Sequence, residues 1–183
     1  MNVALLGGSF NPPHVGHLLA ATYVRSSLGA DEVWLVPSFH HPFGKPLAPF
    51  ETRVAMCEAM AVQLGPWLTV SRAERDVGGE GRTIELLEYL VPKYPDTRFS
   101  FVIGSDILAD VPKWKAWDRI QALVEVVVLH RAGYPAPGAL GPPLAAVSST
   151  EIRERLEAHQ PVDELVPAAA LAVARAAGLY GLR

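Results

Sequence analysis

The chain has 183 residues and a formal net charge of −3, and half of its residues are hydrophobic. That length suits one domain and is short for two, and the apolar share is large enough to build a sizeable core. Because acidic and basic residues nearly balance, no broad basic field is present to hold a nucleic-acid backbone. We therefore expect any phosphate chemistry to depend on local positive charge.

The chain also lacks the signals of a membrane or exported protein. No apolar run reaches the length of a membrane span, and the first residues do not form a basic region followed by an apolar stretch. The single cysteine, Cys57, excludes an intramolecular disulfide. Its place in an amphipathic segment predicts a buried structural thiol. We expect a soluble, cytoplasmic protein.

Apolar runs and turn residues predict strands and helices that alternate along the whole chain. Strands are expected at residues 3–6, 32–36, 67–71, 99–103 and 125–129, with a weak one at 144–147. Helices are expected at residues 17–28, 50–64 and 83–94, over a stretch containing Trp114 and Trp117, from Ser149 onward, and in an Ala-rich tail ending near Gly178. Residues 38–49 and 76–81 are expected to be loops.

This alternation predicts an α/β fold, a Rossmann-like doubly wound parallel sheet with helices on both faces. We expect a single domain over residues 1–183, with the helical portion from about residue 149 packed on it. In such sheets, ligands bind beyond the carboxyl ends of the strands, where the winding direction reverses.

The loop that joins the first strand to the first helix, residues 7–17, reads GGSFNPPHVGH. Its paired glycines let the backbone approach a ligand, and the helix that follows presents free N–H groups and its positive dipole end. This is a ready anion site. His14 and His17 can each donate a hydrogen bond to a phosphate oxygen and can be charged if the phosphate raises the pKa. The alternative, two histidines without a ligand, explains fewer of these features.

A second anion site is predicted at residues 147–153, VSSTEIR. Ser148 or Ser149 can cap the helix that opens there, and the guanidinium of Arg153 suits phosphate oxygens. Taken alone, a helix cap followed by a surface arginine is the simpler interpretation. Asp106, which follows the strand at 99–103, could hold a ribose hydroxyl or cap the next helix.

Residues 7–17 closely resemble the HxGH signature of the nucleotidylyltransferase superfamily, G-G-[ST]-F-[DN]-P-x-H-x-G-H, and not a Walker loop or a dinucleotide fingerprint. Residues 147–153 resemble the second signature of that superfamily, I-S-S-T-x-[IV]-R, with Val147 in place of the first Ile. Residues 101–120, the HRAGY piece within residues 128–134 and the final AGLY are similar to segments of bacterial nicotinate-mononucleotide adenylyltransferases.

The resemblance implies transfer of the adenylyl group of ATP to nicotinate mononucleotide, giving deamido-NAD and pyrophosphate. It implies His14, His17 and Arg153 as catalytic residues. The residues expected to bind ATP are Gly7, Gly8, Ser9, Phe10, His14, His17, Gly104, Asp106, Arg131, Ser148, Ser149, Thr150 and Arg153. Those expected to bind the mononucleotide are Asn11, Lys45, Thr83 and Trp114. Mg²⁺ is expected to bind through the ATP phosphates, without a metal site on the protein itself.

By the same resemblance, Trp114 would stack on the pyridine ring and Thr83 would lie near the carboxylate of that ring. Spacing alone favours a different interpretation of Trp114, a core residue on the same helix face as Trp117. Residues 38–45 read SFHHPFGK where the family usually has P-P-H-K, so the lysine is shifted by a residue. The adjacent His40 and His41 could be solvated or could bind phosphate.

The departure at residues 38–45 leaves nicotinamide mononucleotide open as a preferred or second substrate. Phosphopantetheine adenylyltransferases share both signatures, so this activity is a further alternative. A non-catalytic nucleotide sensor on the same fold is an alternative from another class. The expected partners are small molecules, with no nucleic acid and no membrane, and a homo-oligomer is left open.

Overall fold

The structure, a computed structural model, describes residues 1–40, 44 and 46–182. Within that part of the chain, six strands form one parallel sheet. The strands are β1 (Asn2–Gly8), β2 (Glu32–Pro37), β3 (Leu68–Val70), β4 (Arg98–Gly104), β5 (Glu125–Arg131) and β6 (Leu140–Leu144). Their order is β3-β2-β1-β4-β5-β6. The winding direction therefore reverses between β1 and β4, where doubly wound sheets bind ligands.

Helices connect most of the strands. They are α1 (Val15–Leu28), α2 (Phe50–Ala61), α3 (Ala73–Val77), α4 (Thr83–Lys93), α5 (Trp117–Leu123), α6 (Ser149–Glu157) and α7 (Ala168–Ala176). Short 3-10 turns at Ser105–Ile107 and Val111–Lys113 lie between β4 and α5. No helix in the described ranges is both long and apolar enough to cross a membrane.

The two faces of the sheet are covered by different helices, because successive side chains of a strand point in opposite directions. On β1, Ala4 and Leu6 join a buried cluster with residues of α1 and α2. Val3 and Leu5 join a second cluster with residues of α3, α4 and α5. The predicted doubly wound parallel fold with helices on both faces is confirmed.

The C-terminal helices pack against the outer side of α2. Met56 of α2 shares a third buried cluster with Ile152 of α6 and Ala170 of α7. This packing returns the end of the chain to the neighbourhood of the first loop. Cys57, the next residue of α2, is buried in the first cluster, as predicted.

The prediction that Trp114 and Trp117 share a helix is wrong. Trp114 follows a 3-10 turn and has an extended backbone, whereas α5 begins only at Trp117. Ala116 between them has a left-handed conformation, with φ 56°, and a helix cannot continue through such a residue. The two indole rings instead meet edge to face, with centroids 5.6 Å apart.

Two further boundaries differ from the sequence prediction. The weak strand expected at residues 144–147 lies earlier, at Leu140–Leu144, and contains Pro142 and Pro143. Proline is tolerated there because β6 is an edge strand, where backbone N–H groups need no partner strand. The loop expected at residues 76–81 starts late, because its first two residues belong to α3.

Candidate active site

A cavity of about 770 Å³ opens at the carboxyl ends of the strands, beside the point where the winding reverses. Every predicted site residue in the described part of the chain lines it, except Phe10. Lys45, predicted to bind the mononucleotide, and His41 lie outside the described residues. Residues separated by more than 140 positions in the sequence, such as Gly8 and Arg153, thus face the same space.

The two histidines of the first loop form a stacked pair at the start of α1. Their ring centroids are 3.8 Å apart and the rings are inclined by 30°. The backbone N–H of His14 donates to Nδ1 of His17 over 3.1 Å. A neutral imidazole that accepts at Nδ1 carries its proton at Nε2. His17 therefore offers the cavity a hydrogen-bond donor without needing a positive charge.

Both imidazoles are held neutral. Burial, together with the nearby charge of Arg131, lowers the pKa of His14 to about 4. Burial also brings the pKa of His17 well below its usual value, with His14 and Arg131 adding to the effect. Near pH 7 the pair therefore acts by hydrogen bonding and leaves the positive charge of the site to arginine and lysine side chains.

One buried polar atom of His14 is unsatisfied. The residue is 4% exposed, and its buried Nδ1 finds no hydrogen-bond partner among the described residues. A Cβ atom on Gly16 would lie 3.0 Å from that same nitrogen. The space that Gly16 leaves is occupied by the His14 ring. Buried polar atoms are rarely unsatisfied, so this nitrogen is suited to a ligand or a water molecule.

Phe10 supports the pair from beneath instead of facing the cavity. Its ring is fully buried in the first cluster and lies 4.5 Å from the His17 ring, centroid to centroid. A Cβ on Gly8 would contact the Phe10 ring at 3.3 Å. The sequence GGSF thus places an aromatic side chain under the histidines while its glycines leave the backbone open to the cavity.

The start of α6 docks directly on the first loop. Ser148 caps the helix by accepting from the N–H of Glu151 over 3.1 Å. Ser149 Oγ donates to the carbonyl of Pro12 over 2.8 Å, and Arg153 Nη1 donates to the carbonyl of Asn11 over 2.7 Å. The two signature segments therefore form one continuous wall of hydroxyl, N–H and guanidinium donors.

A second arginine is positioned by the ends of β4 and β5. Arg131 lies 3.7 Å from Asp106 Oδ1 through Nε, and its Nη2 donates to the carbonyl of Val147 over 3.2 Å. A side chain on Gly104 would collide with the Asp106 carboxylate. Of the two roles expected for Asp106, capping is not observed, and the ion pair still leaves the carboxylate at the cavity.

The opposite wall is formed by the segments that follow β2 and β3, together with Trp114. The Trp114 ring packs edge to face on Phe101 at 6.1 Å and rests on the second cluster. Thr83 begins α4, and Pro46 and Leu47 contribute an apolar stretch. We call this wall the α4 side and the wall with Arg131, Arg153 and the start of α6 the α6 side. The histidines follow β1, which lies between β2 and β4.

Glu74 is the one carboxyl on the α4 side whose pKa is clearly raised in the described structure, to about 7. Burial is the main cause and the nearby Glu85 adds to it, while a hydrogen bond from the backbone N–H of Phe39 acts in the opposite direction. A substantial fraction of Glu74 is therefore protonated at neutral pH. Sequence analysis gave no role to this residue.

Sequence analysis also missed two residues that hold the walls together. Arg53 is buried in α2 and donates to three backbone carbonyls around the cavity. Tyr180, near the end of the chain, donates through its hydroxyl to Asn11 Oδ1 over 2.6 Å, and burial raises its pKa to about 12. An arginine on the apolar face of a helix that also carries Val54 and Cys57 was the available signal for the first.

Asn11 was predicted to bind the mononucleotide, and it does line the cavity. Its side-chain oxygen is already engaged by Tyr180 and by the backbone N–H of Ala48 over 3.3 Å. The amide nitrogen is therefore the part of the side chain that suits a substrate. Elsewhere in the described chain, no three His, Cys, Asp or Glu side chains gather in a way that suggests a metal site.

Comparisons of the sequence with known proteins identify its family. Residues 5–155 match the model of the cytidylyltransferase-like family. A protein of Myxococcus xanthus described as a probable nicotinate-nucleotide adenylyltransferase is 58% identical over 183 residues, covering 100% of this chain and 96% of the relative. One of Thermus thermophilus with the same description is 38% identical over 186 residues, covering 98% and 100%.

Solved structures show the same fold. A nicotinic acid mononucleotide adenylyltransferase of Plasmodium falciparum, complexed with NaAD, superposes with a TM-score of 0.81 at 17% identity, covering 100% of this chain and 98% of the other. A putative nicotinate-nucleotide adenylyltransferase of Vibrio parahaemolyticus gives 0.71 at 23% identity, covering 94% and 97%. Because both signatures meet at one cavity and the bacterial relatives align over their full length, the chain belongs to the cytidylyltransferase-like family and, within it, to the nicotinate-nucleotide adenylyltransferases.

Proposed function

We propose that this chain transfers the adenylyl group of ATP to the phosphate of nicotinate mononucleotide, producing deamido-NAD and pyrophosphate for NAD biosynthesis. The observation that carries the proposal is the stacked pair of His14 and His17 at the start of α1, where the two walls of the cavity meet. The substrate of the named relatives, at 58% and 38% identity over nearly the whole chain, is extended here to this protein.

ATP is assigned to the α6 side. That wall carries two permanent positive charges, Arg131 and Arg153, and the N-terminus of α6 with its serine cap. Guanidinium groups and free backbone N–H groups are the donors that phosphate oxygens prefer. Asp106 lies on the same wall, and its carboxylate is a suitable acceptor for a ribose hydroxyl.

The mononucleotide is assigned to the α4 side. A flat, electron-poor pyridine ring suits the face of Trp114, and the carboxylate of nicotinate suits the free N–H groups at the start of α4, near Thr83. The apolar stretch of Pro46 and Leu47 completes this wall.

The reaction needs positioning and charge stabilisation more than covalent help from the protein. An oxygen of the mononucleotide phosphate attacks the α-phosphorus of ATP, a new P–O bond forms, and the bond to the leaving pyrophosphate breaks. Nε2–H of His17 donates to phosphate oxygens as charge moves towards the pyrophosphate. Arg153 holds the outer phosphates, with the hydroxyls of Ser149 and Thr150 beside it.

Mg²⁺ is proposed as the companion of the triphosphate. Phosphate-bound Mg²⁺ usually keeps several waters and takes only one or two protein ligands. The cavity fits this mode, because Asp106, which lies within ion-pair distance of Arg131, belongs to no group of three His, Cys, Asp or Glu side chains among the described residues. The ion would offset the negative charge of the phosphates, while the protein orients them.

The test is an assay of the purified chain with ATP and Mg²⁺ and one acceptor at a time. The acceptors are nicotinate mononucleotide, nicotinamide mononucleotide and phosphopantetheine, and both pyrophosphate and the adenylylated product are measured. We expect the highest kcat/KM with nicotinate mononucleotide. A higher value with another acceptor would replace the substrate, and ATP binding without pyrophosphate release from any acceptor would favour a nucleotide sensor.

A further inference from the structure

Arg53 heads the largest fully buried side chains of the described chain, at 1% exposure, although it carries a charge. Its three nitrogens each donate to a backbone carbonyl: Nε to Ala48 over 2.9 Å, Nη1 to Ser9 over 2.7 Å and Nη2 to Ser38 over 2.7 Å. No carboxylate within the described residues pairs with it. A buried charge is costly unless it is fully hydrogen-bonded, so the three carbonyls are what keep this arginine in place.

The three carbonyls belong to three different parts of the cavity wall. Ser9 lies in the histidine loop, Ser38 directly follows β2, and Ala48 lies two residues before α2. Ser9, Ser38 and the neighbours of Ala48, Pro46 and Leu47, line the cavity. One rigid guanidinium therefore fixes the distance between the loop that carries the histidines and the part of the α4 side that follows β2.

Ala48 is held at both of its backbone polar groups. Its carbonyl accepts from Arg53, and its N–H donates to Asn11 Oδ1, which also accepts from Tyr180. The α6 side has separate ties to the first loop, through Ser149 to Pro12 and Arg153 to Asn11. Within the described residues, loss of the Arg53 guanidinium would leave Ser38 tied to the first loop only through Gly8, and Ala48 only through Asn11. The ties of the α6 side would stay intact.

We propose that Arg53 is a positioning residue for the mononucleotide, one that fixes the α4 side against the histidine loop without touching substrate. The proposal rests on the assignment of the two substrates made above. A planar five-donor group suits three divergent carbonyls, whereas a single ammonium does not. The position therefore calls for arginine specifically and not for any cation.

The variants are Arg53→Met and Arg53→Lys. Methionine keeps the length of the side chain and loses all hydrogen-bond donors, whereas lysine keeps the charge but lacks the planar guanidinium. The control is Met56→Ala, one turn further along α2, where the side chain packs in the third cluster away from the cavity. Thermal melting followed by circular dichroism gives the folded fraction of each variant. KM for each substrate and kcat are then measured on folded protein only.

Because a shift of about 1 Å can cost about 10²-fold, Arg53→Met is expected to raise KM for the mononucleotide roughly ten- to hundredfold. KM for ATP should stay within about threefold, Arg53→Lys should be intermediate, and Met56→Ala should lower the melting temperature with little change in either KM. If Arg53→Met does not fold, Arg53→Lys tests the proposal: its KM for the mononucleotide should rise more than its KM for ATP. Equal changes in both KM values, or none, would overturn the proposal.

Hydrogen exchange on the unliganded protein supplies a readout that does not depend on catalysis. Exchange in peptides covering residues 36–40 and 46–50 should accelerate in Arg53→Met, while exchange within α4 stays as in the unaltered chain. If exchange accelerated in α4 as much as in these two peptides, Arg53 would only stabilise the fold. If the unaltered chain makes no dinucleotide, the proposed function fails, and the exchange result still tells whether Arg53 holds this wall.

Discussion

The α6 side of the cavity carries Arg131 and Arg153, whereas the α4 side carries the indole of Trp114 and the carboxyl of Glu74, whose pKa is raised to about 7. The first wall is built from charged and hydrogen-bonding groups on fixed elements. The second combines the apolar and aromatic surface of Pro46, Leu47 and Trp114 with Glu80 and Arg82, whose opposite charges pair with one another. The α6 side therefore suits the triphosphate of ATP, and the α4 side suits the flat ring of the mononucleotide.

What the two sides share is the effect of burial on titratable groups. Burial favours the neutral form of either acid or base, so it lowers the pKa of His14 and raises that of Glu74. The permanent positive charge of the α6 side comes from Arg131 and Arg153, and arginine does not titrate near neutral pH. The histidines then serve as directional donors, and the carboxyl of Glu74 repels an anionic substrate less than a full charge would.

The largest effect is expected where the two sides meet. His17→Ala removes the Nε2–H donor that the contact from the His14 N–H fixes, and one lost transition-state contact typically costs about 10² to 10³ in rate. We expect that loss in kcat, measured by pyrophosphate release under saturating substrates. His159→Asn is the control, because His159 lies beyond the end of α6, is exposed and has a left-handed backbone that asparagine tolerates. An unchanged kcat in His17→Ala would remove His17 from the mechanism.

The effect of burial on His14 can be tested through the pH dependence of stability. Its pKa is about 4 in the fold and 6.5 for the free side chain, so below pH 6.5 the unfolded chain binds a proton that the folded chain refuses. The free energy of unfolding therefore decreases as the pH is lowered, by about 3 kcal/mol between pH 7.5 and pH 4. Urea unfolding of His14→Asn should show a shallower pH dependence than the unaltered chain. A parallel dependence in the two proteins would contradict the assignment.

The sequence predicted the elements of this site better than their connections. The glycines, histidines and serines of the two signatures were identified because strand–loop–helix patterns are local. The ties that join the walls were not, because Arg53 reaches Ser9 across 44 positions and Tyr180 reaches Asn11 across 169. Such contacts depend on tertiary packing, which hydrophobic periodicity does not encode.

Trp114 illustrates the same limit within a short segment. Helical spacing to Trp117 predicted a shared helix face, but the left-handed residue Ala116 ends that pattern between them. The family resemblance placed Trp114 in the binding site, and it does line the cavity. Whether its ring stacks on the pyridine stays a prediction.

The charge of the α6 side is tested by Arg153→Met. Hydrogen bonds to charged groups contribute about 1.5–3 kcal/mol, so kcat/KM for ATP should fall by roughly ten- to hundredfold. Arg155→Met is the matched control on the same helix, since Arg155 pairs with Glu151 and does not line the cavity. Similar losses in the two variants would mean that α6 tolerates no such substitution, and not that Arg153 holds phosphate.

The smallest effect is expected from Glu74 on the α4 side. Its raised pKa means that the carboxyl is protonated below about pH 7 and ionises above it, which places a negative charge on the wall assigned to an anionic mononucleotide. Like-charge repulsion of roughly 1 kcal/mol across water should raise KM for the mononucleotide about fivefold between pH 6 and pH 8.5. Glu74→Gln keeps the shape of the neutral carboxyl and should remove most of this rise.

The control is Glu88→Gln, because Glu88 lies on the exposed side of α4 and pairs with Arg119. Comparing variants at each pH cancels the ionisation of the substrate phosphate, which is common to all of them. The same ionisation makes stability fall as pH rises from about 4.5 to about 7, a window that overlaps the His14 window and has the opposite sign. A KM that rises equally in Glu74→Gln and in the unaltered chain would show that the α4 side is not where the anion binds, and the contrast between the two walls would then need another cause.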